Sequence, residues 1–373
     1  MSTPLTQQLT GIDNARIVLS DRVVEGSVEF EDGRITDIRS RPARHTDRLD
    51  ARGGLLIPGL VDLHTDAIER QWQPRPSAEF EPTLAFVETD RHFALAGITT
   101  AVQAVAFIDL DDGSRSIDRA QRQWNTIRQL RGNALIRHEL HLRCEVTQPR
   151  SVAIAADALR RSEARLVSAM DHTPEEVIQA SDGVSAAKTA TEIRALAAQA
   201  RQHGIRFASH DDPTEASVQA MADLGADVFE FPVTIGAARA VAELGLASVV
   251  GAPNLLRGRS HIDRLAAADA IAANLASAIC SDYAPAALLR AVFKLAATNI
   301  CDLPTAVALA SAQPAAIVGL DDRGVIRPGS LADLVLVHDH HDLPTATHTL
   351  VNGQLVMQAA LPANPPSLQM SPL

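Results

Sequence analysis

Residues 55–66 have the sequence LLIPGLVDLHTD, in which a short apolar run ends in a histidine and an aspartate, His64 and Asp66. Short apolar runs of this kind are typical of buried strands in parallel sheets. Seven similar runs follow: GITTAVQAVA at 97–106, LHLRCEV at 140–146, RLVSAMDH at 165–172, RFASHDD at 206–212, DVFEFPV at 227–233, SVVGAPN at 248–254 and AICSDY at 278–283. Ala-rich stretches with helical patterning separate the runs, which favours parallel strands covered by helices. Eight such strands predict a (β/α)8 barrel over residues 58–319.

An open, doubly wound sheet is the main alternative to the barrel. Sheets of that type commonly carry a glycine-rich phosphate-binding loop after the first strand. The residues that follow His64 and Asp66 contain no such loop. The barrel is therefore the favoured prediction.

Both ends of the chain have a different pattern from the middle. Strand-like runs at 15–40 and 324–358 are interrupted by the turn sequences Asp32-Gly33 and Asn352-Gly353, which favour hairpins. Isolated groups of two or three strands are only marginally stable in water. We therefore expect residues 10–57 and 320–360 to form one small composite β-sandwich domain, followed by a flexible tail at 361–373.

The composition is that of an ordinary globular protein, with 46% hydrophobic and 21% charged residues in 373. The formal net charge of −11 argues against general binding to nucleic acid or anionic membranes, which requires a positive surface. No apolar run approaches the roughly 18 residues of a membrane span, and no export signal begins the sequence. Cys144, Cys280 and Cys301 form no paired motif, which is typical of reduced thiols, so the chain is predicted to be cytoplasmic. Its expected partner is a small-molecule substrate.

Residues that commonly bind metals end several of the strand-like runs. They are His64, Asp66, Glu145, His172, His210 and Asp282. Because barrel active sites form at the carboxyl ends of the strands, these side chains are expected to converge. Imidazole and carboxylate ligands suit zinc, manganese or iron, and Glu145 is the candidate for a carboxylate that bridges two ions.

Each of these residues also has an ordinary structural interpretation. A single histidine at a strand end is more often a hydrogen-bonded structural residue than a ligand. Asp66 and Asp282 could cap the helices that follow their strands, and Glu145 could pair with Arg143. The metal-site interpretation depends on all of them occurring at the same end of the barrel.

The stretch LLIPGLVDLHTD resembles the entry motif of the amidohydrolase superfamily, although Asp66 stands where that motif has a second histidine. The runs HTD, PRP, GITT, HLRCE, MDH, ASHDD, EFP, GAPN and SDY, within residues 57–335, are similar to one branch, the PhnM family of α-D-ribose 1-methylphosphonate 5-triphosphate diphosphatases. The resemblance implies two divalent ions, zinc first, bound by the same six residues. It also implies hydrolysis of a ribose 5-triphosphate to the 5-phosphate and pyrophosphate in phosphonate breakdown.

Two features depart from that resemblance. The superfamily usually places its bridging residue and two later histidines on barrel strands four to six, whereas Glu145, His172 and His210 fall on strands three to five by the count above. An unrecognised strand in 107–140 would restore the usual order. The segment after His172 is also shorter than in the family, which bears on substrate identity.

The implied reaction assigns roles to further residues. Asp282 is expected to accept a proton from the attacking water. A triphosphate needs fixed cationic and polar partners, with Arg257 the first choice among them. The substrate-binding candidates are Arg75, Arg143, Asn254, Arg257, Ser260, His261 and Tyr283.

Two other functions remain open. A cyclic-amide hydrolase or deaminase on the same barrel would release a carboxylate or ammonia and would need no arginine cluster. A non-catalytic scaffold would retain the barrel without its chemistry. Association of two chains through the outer helices, giving a homodimer, is a further expectation.

Overall fold

The computed structural model describes residues 9–40, 47–75, 77–111, 113–171, 184–258, 264–341 and 343–360. Its strands form two sheets. The first sheet contains β1 Gly11–Val18, β2 Val23–Glu31, β3 Arg34–Arg39, β4 Arg48–Asp50, β5 Leu55–Pro58, β14 Leu334–His340, β15 Leu343–Val351 and β16 Gln354–Gln358. The second contains β6 Leu60–Thr65, β7 Ile98–Phe107, β8 Arg137–Glu145, β9 Leu166–Met170, β10 Arg206–His210, β11 Val228–Glu230, β12 Ala247–Gly251 and β13 Ala278–Cys280.

Helices occupy most of the stretches between the strands of the second sheet. They are α1 Ala67–Trp72, α2 Pro82–Leu95, α3 Ile117–Leu130, α4 Pro149–Arg160, α5 Val184–Gln202, α6 Glu215–Leu224, α7 Ile235–Glu243, α8 Ala252–Arg257, α9 Ala267–Ala272, α10 Pro285–Ala297, α11 Leu303–Leu309 and α12 Ala312–Ile317. Over the described residues, none of these helices combines the length and the apolar character that crossing a membrane requires.

The second sheet is the predicted barrel. Its strands pair in parallel in chain order from β6 to β13. The first and last strands then meet: the amide of Asp282 donates to the carbonyl of His64 at 3.0 Å, and the amide of Asp66 donates to the carbonyl of Asp282 at 3.0 Å. All eight predicted runs supply barrel strands. The barrel prediction is confirmed and the open-sheet alternative is wrong.

The stretch between β7 and β8 adds no strand among its described residues. It forms α3 and a short 3-10 turn at Arg131–Asn133. The helix begins at the N-cap Ser116, and Ile117, Trp124 and Ile127 are buried along one side of it. This spacing follows the helical period rather than the strand period. Glu145 therefore lies on the third barrel strand, and the unusual strand count is a property of the fold.

Strand β8 shows how the sequence divides the barrel wall into two faces. Leu140 and Leu142 pack in an apolar cluster with Ala155 of α4, outside the barrel. Because successive side chains of a strand point to opposite faces, His141 and Arg143 point into the barrel. This alternation places two polar side chains of the strand at the interior of the barrel.

The first sheet joins both ends of the chain, with the strand order β16-β15-β14-β5-β1-β2-β3 and β4 beside β1. The two predicted hairpin turns are present. Asp32 and Gly33 have φ values of 50° and 76°, and Asn352 and Gly353 have 53° and 71°. Positive φ at both central residues is the geometry that hairpins of this type require. The predicted tail, 361–373, lies outside the described residues.

The Asn352-Gly353 turn offers a test of this sheet. A Cβ atom on Gly353 would lie 2.8 Å from the Phe30 ring, at a φ of +71°. Gly353→Ala is therefore expected to lower the free energy of unfolding by about 2–4 kcal/mol, through backbone strain and overpacking together. Gly204→Ala is the control, since Gly204 has a φ of +65° but a Cβ atom added there would meet nothing within 4 Å. Equal losses in chemical denaturation would show that contact with Phe30 contributes nothing.

Candidate functional site

A cavity of about 290 Å³ opens at the carboxyl ends of the barrel strands. His64 enters it from β6, Arg143 from β8, His210 from β10 and Asp282 from the residues after β13. The predicted residues Asn254 and Arg257 also line it, as does Arg264. The barrel thus brings together side chains that lie more than 200 positions apart in the sequence.

The strand-end pattern does not single out Glu230, yet this residue lies at the centre of the site. Its Oε1 atom is 2.7 Å from Nδ1 of His64, and both side chains are fully or almost fully buried. Ligand atoms of His64, His210 and Glu230 all lie within 4.8 Å of one another, which allows the three residues to bind one metal ion. Glu230 is flanked by Phe229 and Phe231, and an acid within a buried apolar run is the signal that could have identified it.

A hydrogen-bonded network extends from Glu230 on β11 to β9 and β8. The hydroxyl of Ser168 donates to Oε2 of Glu230 at 2.5 Å, and Nε2 of His141 contacts the same hydroxyl. Burial lowers the pKa of His141 to about 3, so this imidazole is neutral at pH 7. Burial would raise the pKa of Glu230, but the charge and the hydrogen bond of His64 outweigh it and hold that pKa below its usual range. The Glu230 carboxylate is therefore an anion inside the barrel.

The two aspartates that could have been simple helix caps do not cap a helix with their side chains. Asp66 occupies the N-cap position of α1 but makes no capping hydrogen bond. Its Oδ2 is 3.4 Å from Arg115, and its Oδ1 is buried without a hydrogen-bond partner. Asp282 lies three positions before Pro285, the first residue of α10, and the N-cap there is Ala284. A buried carboxylate oxygen without a hydrogen-bond partner, as on Asp66, fits a divalent cation.

His210 is oriented by its neighbours. Its Nδ1 is 3.1 Å from the carboxylate of Asp211, and its Nε2 is 3.2 Å from Nη2 of Arg143. Burial lowers the pKa of His210, which favours the neutral ring with a lone pair on one nitrogen. A carboxylate on the other ring nitrogen is the usual support of a metal-binding imidazole. The contact between His210 and Asp211 is of that kind.

Among the described residues, Glu145 does not belong to the group that His64, His210 and Glu230 form. It is buried at the end of β8, where its Oε1 accepts a hydrogen bond from Thr147 at 2.6 Å and its amide donates to Ser151. Its role as a bridging ligand stays a prediction. Three further predicted residues, His172, Ser260 and His261, lie outside the described residues.

The predicted substrate-binding residues take different positions. Arg257 donates to the hydroxyl of Tyr283 at 2.5 Å on the rim of the cavity. Asn254 holds the backbone around α9, since its amide donates to Leu265 at 2.8 Å and its carbonyl oxygen accepts from Ala267 at 3.1 Å. Arg75 is exposed on a loop and does not line the cavity.

Three residues that follow barrel strands have left-handed backbone conformations. The φ values are 61° for Asp211, 56° for Phe231 and 55° for Asp282. Such a conformation is uncommon for any residue other than glycine, and for a bulky residue such as Phe231 it is a genuine outlier. Strained backbone of this kind clusters at functional sites. The strain marks the same end of the barrel as the buried polar network.

Comparison with known proteins agrees with this geometry. Residues 55–357 match the model of the amidohydrolase family. The chain is 35% identical over 362 residues to the α-D-ribose 1-methylphosphonate 5-triphosphate diphosphatase of Escherichia coli K12, covering 88% of this chain and 96% of that protein. It is 23% identical to the imidazolonepropionase of Deinococcus deserti, covering 90% and 89%.

Solved structures share the fold at low sequence identity. The dihydropyrimidinase of Brevibacillus agri superposes with a TM-score of 0.71 at 15% identity, covering 94% of this chain and 95% of that one. The N-acetylglucosamine-6-phosphate deacetylase of Pasteurella multocida has a TM-score of 0.65 at 14% identity, covering 92% and 98%. At these low identities, the similarities show a shared fold.

Proposed function

Because this chain belongs to the amidohydrolase family, we propose that it is a metal-dependent diphosphatase that cleaves a ribose 5-triphosphate to the 5-phosphate and pyrophosphate. The Escherichia coli relative, at 35% identity, is named for a substrate of this kind. By analogy, the expected substrate is α-D-ribose 1-methylphosphonate 5-triphosphate, and the expected setting is phosphonate breakdown.

The observation that carries this proposal is the pairing of a potential metal site with arginines in one cavity. His64, His210 and Asp282 line the cavity together with Arg143, Arg257 and Arg264. Guanidinium groups bind phosphate oxygens with short, charge-assisted hydrogen bonds. An amide substrate would not require three of them. The arrangement therefore favours a substrate that carries several phosphate charges.

The residues present fit a divalent metal ion. His64, His210 and Glu230 would hold one ion, and Asp66 offers a further buried oxygen without a partner. Nitrogen and carboxylate ligands suit zinc, with manganese and iron as alternatives. A bound divalent ion would lower the pKa of water and offset charge on phosphoryl oxygens. A second ion, as the sequence predicts, is part of the proposal.

The chain's own residues then have defined tasks. Water oxygen forms a bond to the α-phosphorus, and the bond from that phosphorus to the bridging oxygen breaks, so that the bridging oxygen leaves with pyrophosphate. The Asp282 carboxylate accepts the proton from water. Arg257 and Arg264, on the rim, hold the negative charge of the departing pyrophosphate. Arg143, deeper in the cavity, orients the phosphate that remains on the sugar.

The test is an assay that follows pyrophosphate and orthophosphate separately. The purified, metal-analysed protein is expected to release pyrophosphate from ribose 5-triphosphates, to lose that activity after chelation, and to regain it with zinc or manganese. Hydantoin and dihydropyrimidine rings serve as the contrasting substrates. Ring opening without release of pyrophosphate from any triphosphate would replace this proposal with a cyclic-amide hydrolase.

A further inference from the structure

A second cavity, of about 560 Å³, lies beside the barrel mouth between α1 and α3. Arg70 lines it from α1, Arg119 and Gln123 line it from α3, and Arg115 lines it from the residue before the Ser116 cap. We call it the side cavity. It shares no lining residue with the cavity at the barrel mouth.

Positive charge exceeds negative charge on the wall of the side cavity. Glu69 is the carboxylate among its lining residues, against three arginines. Arg115 donates to Glu69 at 2.8 Å, and Arg119 is 3.1 Å from the half-exposed Glu79. Among the described residues, Arg70 forms no ion pair with a carboxylate and instead stacks on an aromatic ring. The residues that line the cavity therefore carry more positive than negative charge, and Arg70 is the arginine among them without a carboxylate partner in the described residues.

Gln123 supplies an independent observation. Only 3% of this residue is exposed, it lines the side cavity, and its amide nitrogen is buried without a hydrogen-bond partner. Buried polar groups without a partner are rare because leaving them unpaired costs free energy. A ligand with acceptor oxygens would satisfy this donor and the arginines at the same time.

Two contacts connect the side cavity to the proposed reaction site. Arg115 reaches Asp66, whose Oδ2 is 3.4 Å from its Nη2. Tyr283 lies between the two cavities: Arg257 of the barrel mouth donates to its hydroxyl at 2.5 Å, and the Arg70 guanidinium lies 4.4 Å from its ring centroid. The arginines of the two cavities thus meet at Tyr283.

We propose that the side cavity binds a second phosphoryl or phosphonyl group of the substrate, remote from the bond that is hydrolysed. This inference rests on the proposed diphosphatase function and adds a criterion for substrate selection. The protein would select sugar triphosphates that carry another anion at the opposite end of the sugar. Such a group binds equally in the ground state and the transition state, so its loss raises KM and leaves kcat unchanged.

Arg119→Gln and Arg122→Gln form a matched pair for the test. Both arginines stack on Trp72, at 5.0 and 5.2 Å from its ring, but only Arg119 lines the side cavity. With a ribose 5-triphosphate that bears a phosphonate at C1, Arg119→Gln is expected to raise KM by roughly 10- to 100-fold, the loss of one charge-assisted hydrogen bond. Arg122→Gln should leave KM within about twofold.

A ribose 5-triphosphate with a free C1 hydroxyl separates the side cavity from a general charge effect. Its KM should be unchanged by Arg119→Gln. An equal rise in KM for both substrates, or no rise for either, would overturn the proposal. If the wild-type protein hydrolyses no triphosphate, the diphosphatase function fails, and the cavity is tested by thermal stabilisation with methylphosphonate. Stabilisation in Arg122→Gln but not in Arg119→Gln would support the cavity on its own, and equal stabilisation would refute it.

Discussion

Replacing Asp282 with asparagine should lower kcat for pyrophosphate release by about 10²- to 10⁴-fold, the usual contribution of a positioned base. The backbone of Asp282 is fixed at the closure of the barrel, through hydrogen bonds with His64 and Asp66. Its φ of 55° is one that asparagine also tolerates. The variant should therefore fold normally, and the loss should come from the missing proton acceptor.

The control for this variant is Asp223→Asn. Asp223 is exposed on α6, where its carboxylate contacts Gln219 within the same helix, so the substitution should leave kcat within about twofold. Metal content is measured on both proteins. If Asp282→Asn retains activity within a factor of a few, another residue must accept the proton. If it loses metal along with activity, Asp282 is needed to hold the ion as well.

The barrel could be predicted because each strand is encoded locally. A run such as LVDLHT at 60–65 is mostly apolar, short and followed by a helix. Eight such strand-and-helix units are enough to predict a closed barrel. The turns at Asp32-Gly33 and Asn352-Gly353 are local in the same sense, since positive φ depends on two adjacent residues. Signals of this kind can be recognised in the sequence because they depend on adjacent residues and not on distant parts of the chain.

The residues of the site depend on distant partners, and there the sequence is less informative. Glu230 and His64 are 166 positions apart, and only the register of β11 against the rest of the barrel brings them within 2.7 Å. His141 has no special position in its run, yet its ring contacts Ser168 on the neighbouring strand β9 and lies 3.6 Å from Glu230 on β11. The position of Asn254 after a barrel strand predicts a substrate-binding residue. In the structure its side chain instead hydrogen-bonds the backbone of Leu265 and Ala267.

Replacing Glu230 with leucine should lower the free energy of unfolding by about 3–5 kcal/mol, the cost of removing one partner from a buried charged pair. Burial alone would lower the pKa of His64, but Glu230 outweighs it and raises that pKa. Without the carboxylate, the buried side chain of His64 and the hydroxyl of Ser168 lose their hydrogen-bond acceptor. The measurement is chemical denaturation in the presence of a chelator, which removes any contribution from bound metal.

Glu230→Gln separates the charge of this residue from its shape. Its amide oxygen can still accept from His64 at the same position, so stability should fall less than in Glu230→Leu. Metal affinity should fall by about 10- to 100-fold, because the ion would lose an anionic ligand and His64 would lose its anionic partner. Glu139→Gln is the control: Glu139 is on β8 in a half-exposed pair with Arg165 at 3.3 Å, worth about 1 kcal/mol or less. Full metal content in Glu230→Gln would mean that the carboxylate serves only to stabilise the barrel interior. Other carboxylates at the mouth would then be the candidate metal ligands, and Asp66 and Asp282 would be tested first.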